Sequence, residues 1–437
     1  MQEGLLGGAL SSELRLRRST LTLFCESYSH LLTTQDDEEF FAKQIPFRLE
    51  QIRGMITVLR DTASAMYLSP DAEERYSAMD PEDVAATRHL LASMTHLLRR
   101  LFTRDSRRRF CEASHWVAPG ARANNDAMVA SVVGTQDARH GQWQRLCRLM
   151  PYTVPFESRV RIFHERVRRD RIERQDDRGI LVRVRRDHLF EDALEQLGGL
   201  GDNIKSKLRV QFIDVHGLEE AGIDGGGLFK EFMHEIVRTA FGPDYALFKS
   251  TPDHLLYPNP SSDILGPEHL HHFHFLGVIV GKALYEGVLI DLPLAGFFLS
   301  KILGQFNFVD DLPSLDEELY RNLMFLKTFD GDCEDLHLNF AIVNSEYDET
   351  RVTELMPNGK DIAVTNENRL HYIHRVANYR LNFQIRRQSV AFLGGLREII
   401  PTEWFQMFSE SELQQVISGT RGGIDIDDLR VSFFEQP

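Results

Sequence analysis

Cysteine is scarce in this sequence. The 437 residues contain four, at positions 25, 111, 147 and 333, and none forms a Cys-x-x-Cys pair. That scatter excludes a disulfide framework and a paired-thiol zinc site, and it suits a reducing compartment, the cytoplasm first and the nucleus second. Long apolar runs are missing too. The most apolar stretch, 276–303, is interrupted by Lys282, Glu286, Asp291 and Pro293, so it reads as two buried helices and no membrane partner is expected. The first ten residues lack the basic start of a secretory signal. Positive charge is in deficit, with 50 Lys and Arg against 65 Asp and Glu, which disfavours non-specific binding to nucleic acid. Phosphate-loop chemistry is excluded: Gly225, Gly226 and Gly227 are not followed by Lys and Ser or Thr. His269, His271, His272 and His274 crowd one segment, but no cysteine or carboxylate completes a ligand set on one helix face. No metal and no cofactor is expected.

What is present is ordinary soluble material, 42% hydrophobic and 26% charged, in a chain long enough for two or three domains. Residues 1–110 read as a helical arm. Leu14, Leu21, Leu23, Phe24, Tyr28 and Leu31 make one apolar face, Phe40 to Ile56 supply a second, and Leu90 to Leu101 a third. No fixed repeat period emerges, and the expected role is a scaffold or partner surface. The arginine-rich stretches 99–109 and 159–186 are interleaved with Asp and Glu, so they read as solvated, salt-bridged helix faces. Residues 111–149, rich in Ala, Gly, Asn and Asp around 118–141, read as a linker or mobile loop.

From Pro155 the pattern becomes mixed. Val160, Phe163 and Val167 open a helix; 180–184 and 208–213 alternate as strands. Asp224 and the three glycines mark a tight turn into a helix carrying Leu228, Phe232 and Ile236. Helices are expected over 268–289, from Asp291 with Pro293 in the first turn, and over 366–390 as one long element broken by Gly394 and Gly395. A short helix around Trp404 to Phe408, another over 409–417 with Ser409 and Glu412 as a capping box, and a last turn at 425–429 follow. Between them, Leu319 and Leu323 lie four apart on a helix face with Asn322 beside them, Phe329 follows an acidic turn, and Leu338 falls on an expected strand. Pattern alone reads these as core packing.

Several segments, in order, change that weighting. Val215-His216-Gly217-Leu218-Glu219-Glu220-Ala221, Leu256-Tyr257-Pro258-Asn259-Pro260, Gly281-Lys282-Ala283-Leu284-Tyr285-Glu286, Gly296-Phe297-Phe298-Leu299-Ser300 and Val364-Thr365-Asn366-Glu367-Asn368 together resemble the large lobe of HECT-type ubiquitin ligases. The likeness covers 150–429, and the Met150 to Phe156 entry matches the subgroup with a long helical N-terminal region. The implied fold class is α+β, mostly helical: a helical N-terminal arm, then the large lobe with a small conjugating-enzyme-binding subdomain. The implied partners are a ubiquitin-conjugating enzyme, ubiquitin and protein substrates of unknown identity. Carried over position by position, the resemblance assigns Leu319, Asn322, Leu323, Phe329 and Leu338 to a hydrophobic groove that grips the conjugating enzyme, with Tyr372 closing it.

In that family a thiolate in a separate C-terminal lobe, marked by a Thr-Cys pair, takes ubiquitin as a thioester and passes it to a lysine. No Thr-Cys pair occurs here, and 430–437 diverge from the family pattern. Of the four cysteines, Cys333 lies among Asp330, Asp332, Glu334 and Asp335, which makes a poor nucleophile. Cys111, beside Arg107 to Arg109, has friendlier neighbours but no positioned companion. The expectation is a ligase polypeptide in which this chain docks the conjugating enzyme without accepting ubiquitin. The alternative is a catalytically inactive short form acting as a conjugating-enzyme-binding or scaffold module.

Overall fold

The computed structural model describes residues 12–69, 72–123, 125–134, 140–174, 179–214, 216–220, 227–346 and 349–419. Asp224, the glycine turn before Gly227, the 425–429 turn and the 430–437 tail lie outside the described residues. Helices dominate, and three two-stranded sheets complete the described structure. The chain divides into two compact units. The first contains Met1–Arg174, Leu303–Pro313 and Thr402–Glu410, and the second Gln175–Ile302, Ser314–Pro401 and Ser411–Pro437.

The first unit is built on three long helices, Ser12–Thr34, Leu49–Leu68 and Pro81–Arg107. Pro81 opens the last of these with Asp80 as its cap, the Asp80 carboxylate accepting from the Glu82 N–H at 2.9 Å. Its apolar stripe, Leu90, Leu91, Met94, Leu97, Leu98 and Leu101, is buried, as the periodicity requires. Residues expected as a linker are instead largely helical, with Ala113–Trp116, Pro119–Ala123, Asn125–Val133 and His140–Leu149. Trp116, Ala121, Met128, Val132 and Leu146 are buried, and the Trp116 indole donates to Asp105 at 2.8 Å. Packing against neighbours makes these short helices stable, which local periodicity does not register.

The expectation of wholly solvated arginine faces is also corrected. Arg104 is 4% exposed. It pairs with Asp37 at 2.7 Å and with Asp310 at 3.9 Å, and donates to the carbonyls of Leu32 and Gln35. Arg107 reaches Asp37, Asp310 and Asp311 at 3.1, 3.5 and 3.4 Å. Burial, with Asp37 adding to it and the two arginines opposing, pushes the Asp310 carboxyl up to about 6. Arg159 is buried as well, donating to the carbonyls of Val154 and Met407 at 3.0 and 2.6 Å.

In the second unit Ile180–Arg185 and Leu208–Ile213 pair in parallel, with Val182 opposite Val210. Val182, Val184, Val210 and Phe212 point into the core at every second position. The helix Gly227–Ala240 buries Phe229, Phe232, Met233, Ile236 and Val237. The core of the unit is the close packing of His269–Glu286 on Arg386–Ile399. Three expectations are corrected in this unit. Gly394 and Gly395 do not break a helix; they lie inside Arg386–Ile399. A Cβ on Gly395 would collide with the His274 carbonyl, and one on Gly277 with the Phe392 carbonyl, so glycine is what lets the two backbones touch. The single helix expected over 366–390 is instead Arg369–Asn378, a π turn at Tyr379–Phe383, and then Arg386–Ile399. The helix expected from Asp291 begins at Gly296, leaving Pro293 ahead of it. The Leu256–Pro260 segment is fixed by Asn259, which is buried and donates to the Ala246 carbonyl at 2.7 Å.

Candidate functional site

The predicted groove residues all fall in one part of the second unit, between the helix Glu317–Thr328 and the helix Arg369–Asn378, which pack on each other. Asp316 starts the first helix, its carboxylate accepting from the Leu319 N–H at 2.9 Å. Leu323 faces inward at 4% exposure. Leu319 is partly buried one turn earlier and Asn322 is exposed beside it. Phe329 follows the helix end and is partly buried, its ring 5.6 Å from that of Phe325. Phe325 is 61% exposed. The sequence reading passed over it, and its signal was the i, i+4 spacing to Phe329.

The chain then makes a tight turn. Asp332 caps the short Cys333–Leu336 segment by accepting from the Glu334 N–H at 3.0 Å. Leu338 lies just ahead of the strand Ala341–Glu346 rather than on it, and its carbonyl accepts from the Val364 N–H at 2.9 Å. That strand and Glu349–Glu354 form an antiparallel hairpin. Tyr372 is partly buried on the second helix, edge-on to Phe340 at 5.5 Å, and burial raises the pKa of its phenol.

The Asn366-Glu367-Asn368-Arg369 motif explains how these pieces are held. The Asn368 amide accepts from the Thr365 N–H at 2.8 Å and donates to the Ala363 carbonyl at 3.0 Å, which shapes the turn into the helix. Asn366 accepts from the Cys333 N–H at 3.2 Å, and Arg369 donates to the Phe329 carbonyl at 2.6 Å. The motif therefore brings Phe329 and Tyr372 onto one framework. Around it Glu317, Glu318, Asp330, Asp332, Glu334 and Asp335 are exposed, giving the apolar residues an acidic rim.

Among the described residues the cysteines offer no comparable site for nucleophilic chemistry. All four cysteines are buried. Burial pushes the Cys25 and Cys111 thiols up to about 12 and Cys147 up to about 11. Cys111 does not gain from its arginine neighbours in sequence. Asp105 adds to the effect of burial and also accepts from the Cys111 N–H at 2.8 Å. Cys333 is 0% exposed beneath the Phe329 turn. Burial keeps the Cys25, Cys111 and Cys147 thiols protonated near neutral pH, and it keeps all four sulfurs from a reaction partner. Among the described residues no group of three His, Cys, Asp or Glu side chains is arranged to hold a metal ion, and no helix is long and apolar enough to cross a membrane.

Residues 234–433 match the family described as HECT-domain (ubiquitin-transferase). The chain is similar to E3 ubiquitin-protein ligase UPL6 of Arabidopsis thaliana, at 42% identity over 94% of this chain and 40% of that protein. It is similar to Ubiquitin-protein ligase E3B of Homo sapiens, at 37% over 94% of this chain and 38% of that protein. With E3 ubiquitin-protein ligase HUL5 of Saccharomyces cerevisiae it shares 38% identity over 64% of this chain and 33% of that protein. The chain thus spans well under half the length of the relatives it matches.

Proposed function

Because this chain belongs to the HECT-domain family of ubiquitin ligases, we propose that its 319–372 groove docks a ubiquitin-conjugating enzyme and that none of its own cysteines accepts ubiquitin. The observation that carries the first half is the clustering of Leu319, Asn322, Phe329, Leu338 and Tyr372 as exposed or half-exposed side chains on a hydrogen-bonded framework. Half-buried aliphatic and aromatic anchors with a polar rim are the composition of a specific interface of modest affinity. The acidic rim suits a partner with basic residues around its docking loop, which speeds encounter more than it tightens binding.

The second half rests on the thiols. Transfer in this family moves an acyl group from one sulfur to another: the attacking thiolate forms a new thioester as the conjugating enzyme's sulfur leaves. The thioester then yields to a lysine amine, forming an amide and releasing the thiolate. A thiol buried out of reach of the incoming thioester cannot begin that sequence. In our reading ubiquitin transfer by the whole protein uses a thiol other than the four present here, and these residues supply the docking platform.

The test is a single reaction. Conjugating enzymes charged with ubiquitin are mixed with this 437-residue chain and resolved without and with a thiol reductant. Retention of a conjugating enzyme on the immobilised chain with no reductant-sensitive ubiquitin adduct is the expected result. A reductant-sensitive adduct on the chain contradicts the second half, and no retention across a panel contradicts the first.

A further inference from the structure

We propose that Arg369 is a positioning residue of the groove, one that touches no partner and sets the angle at which Phe329 is presented. This rests on the docking reading above. The Phe329 anchor stands at the C-terminal end of the helix Glu317–Thr328, where the backbone leaves helical geometry (φ −63°, ψ 122°) and the ring, partly buried, meets that of Phe325 at 5.6 Å. Its own N–H makes a bond of 3.4 Å to the Leu326 carbonyl, which is long for an amide pair. A contact that weak holds a bulky aromatic poorly.

The firmer constraint arrives from a segment 40 residues away. The Arg369 guanidinium donates to the Phe329 carbonyl at 2.6 Å. The same Nη1 lies 4.0 Å from the Cys333 sulfur. Three residues before Arg369, the Asn366 side chain holds the Cys333 N–H. The 329–333 turn is therefore clamped at both ends by one short motif. Three residues after Arg369, Tyr372 rises from the same helix face. One helical turn thus sets the separation of the two aromatic walls. A charged donor to a carbonyl is stronger than a neutral one, and guanidinium geometry is fixed where an ammonium's is not.

This gives the buried Cys333 a use as a reporter. Its sulfur lies under the clamped turn at 0% exposure, so loosening the turn opens it to reagent. The informative variant is Arg369→Met, which keeps the aliphatic stem and removes the donors. Arg369→Lys restores one donor, and Phe329→Ala is the control for the groove itself. We expect Arg369→Met to weaken binding of the conjugating enzyme that the wild-type chain holds best in a panel by about tenfold, with an unchanged thermal midpoint. Arg369→Lys should recover part of that loss. Maleimide labelling of Cys333 should be several-fold faster in Arg369→Met than in wild type, read by peptide mass.

Wild-type affinity in Arg369→Met alongside weakened Phe329→Ala overturns the positioning role and leaves the groove standing. Wild-type affinity in both variants overturns the groove and this inference with it. If Arg369→Met unfolds, Arg369→Lys decides: affinity below wild type in the folded Lys variant supports the clamp, and full wild-type affinity overturns it.

Discussion

The helical arm and the groove handle polar and apolar groups in opposite ways. In the arm, charge is sunk and paired: Arg104 and Arg107 meet Asp37, Asp310 and Asp311 at 2.7 to 3.9 Å with little water around them. In the groove, apolar side chains are left partly in water while the backbone beneath is tied by side-chain amides and a guanidinium. The first arrangement specifies how a segment far along the sequence seats on the arm. It gives little net stability when complete and a large penalty when broken. The second sacrifices burial at Phe325 and Phe329 and keeps their geometry. That is what the proposed docking role requires of such a surface.

The comparison breaks most visibly at Arg104. Arg104→Ala leaves Asp37 and Asp310, both partly buried, with Arg107 as the remaining cation, and should cost about 2–4 kcal/mol of folding stability. Denaturant unfolding would read this loss. A cost below about 1 kcal/mol would mean that the cluster is effectively solvated.

A smaller effect sharpens the same contrast through pH. Asp310 has its carboxyl pushed up to about 6 from 3.8. Between those values the native chain holds a proton that the unfolded chain has released. Stability from this group therefore falls as pH rises through that window and is level above it. Relative to Asp310→Asn, the wild-type chain should lose about 1–3 kcal/mol between pH 4 and pH 7. Urea melts of both proteins across that range provide the check, and parallel curves would show that Asp310 titrates normally.

Much of this was legible in the residues. Leu90 to Leu101 announced the Pro81–Arg107 helix, and alternation at 180–184 and 208–213 found the two parallel strands. The proposed groove positions rest on family motifs, because Leu319 and Leu323 alone are indistinguishable from core, and Leu323 is indeed buried. What failed depended on distant partners. Arg104 looks solvated until Asp37 and Asp310, 67 and 206 positions away, are seen beside it. Gly394 and Gly395 look like a helix stop until His274 is found against them. The short helices of 113–149 owe their form to tertiary burial, which outweighs weak local propensity.

The smallest expected change in the fold is also the most direct test of the central claim. Phe329→Ala removes a partly exposed ring and should leave the unfolding midpoint nearly unchanged. In a titration of wild type and variant with the conjugating enzyme, we predict that binding weakens by about 1–3 kcal/mol. Equal affinities for the two proteins would contradict the assignment of this groove as the docking site.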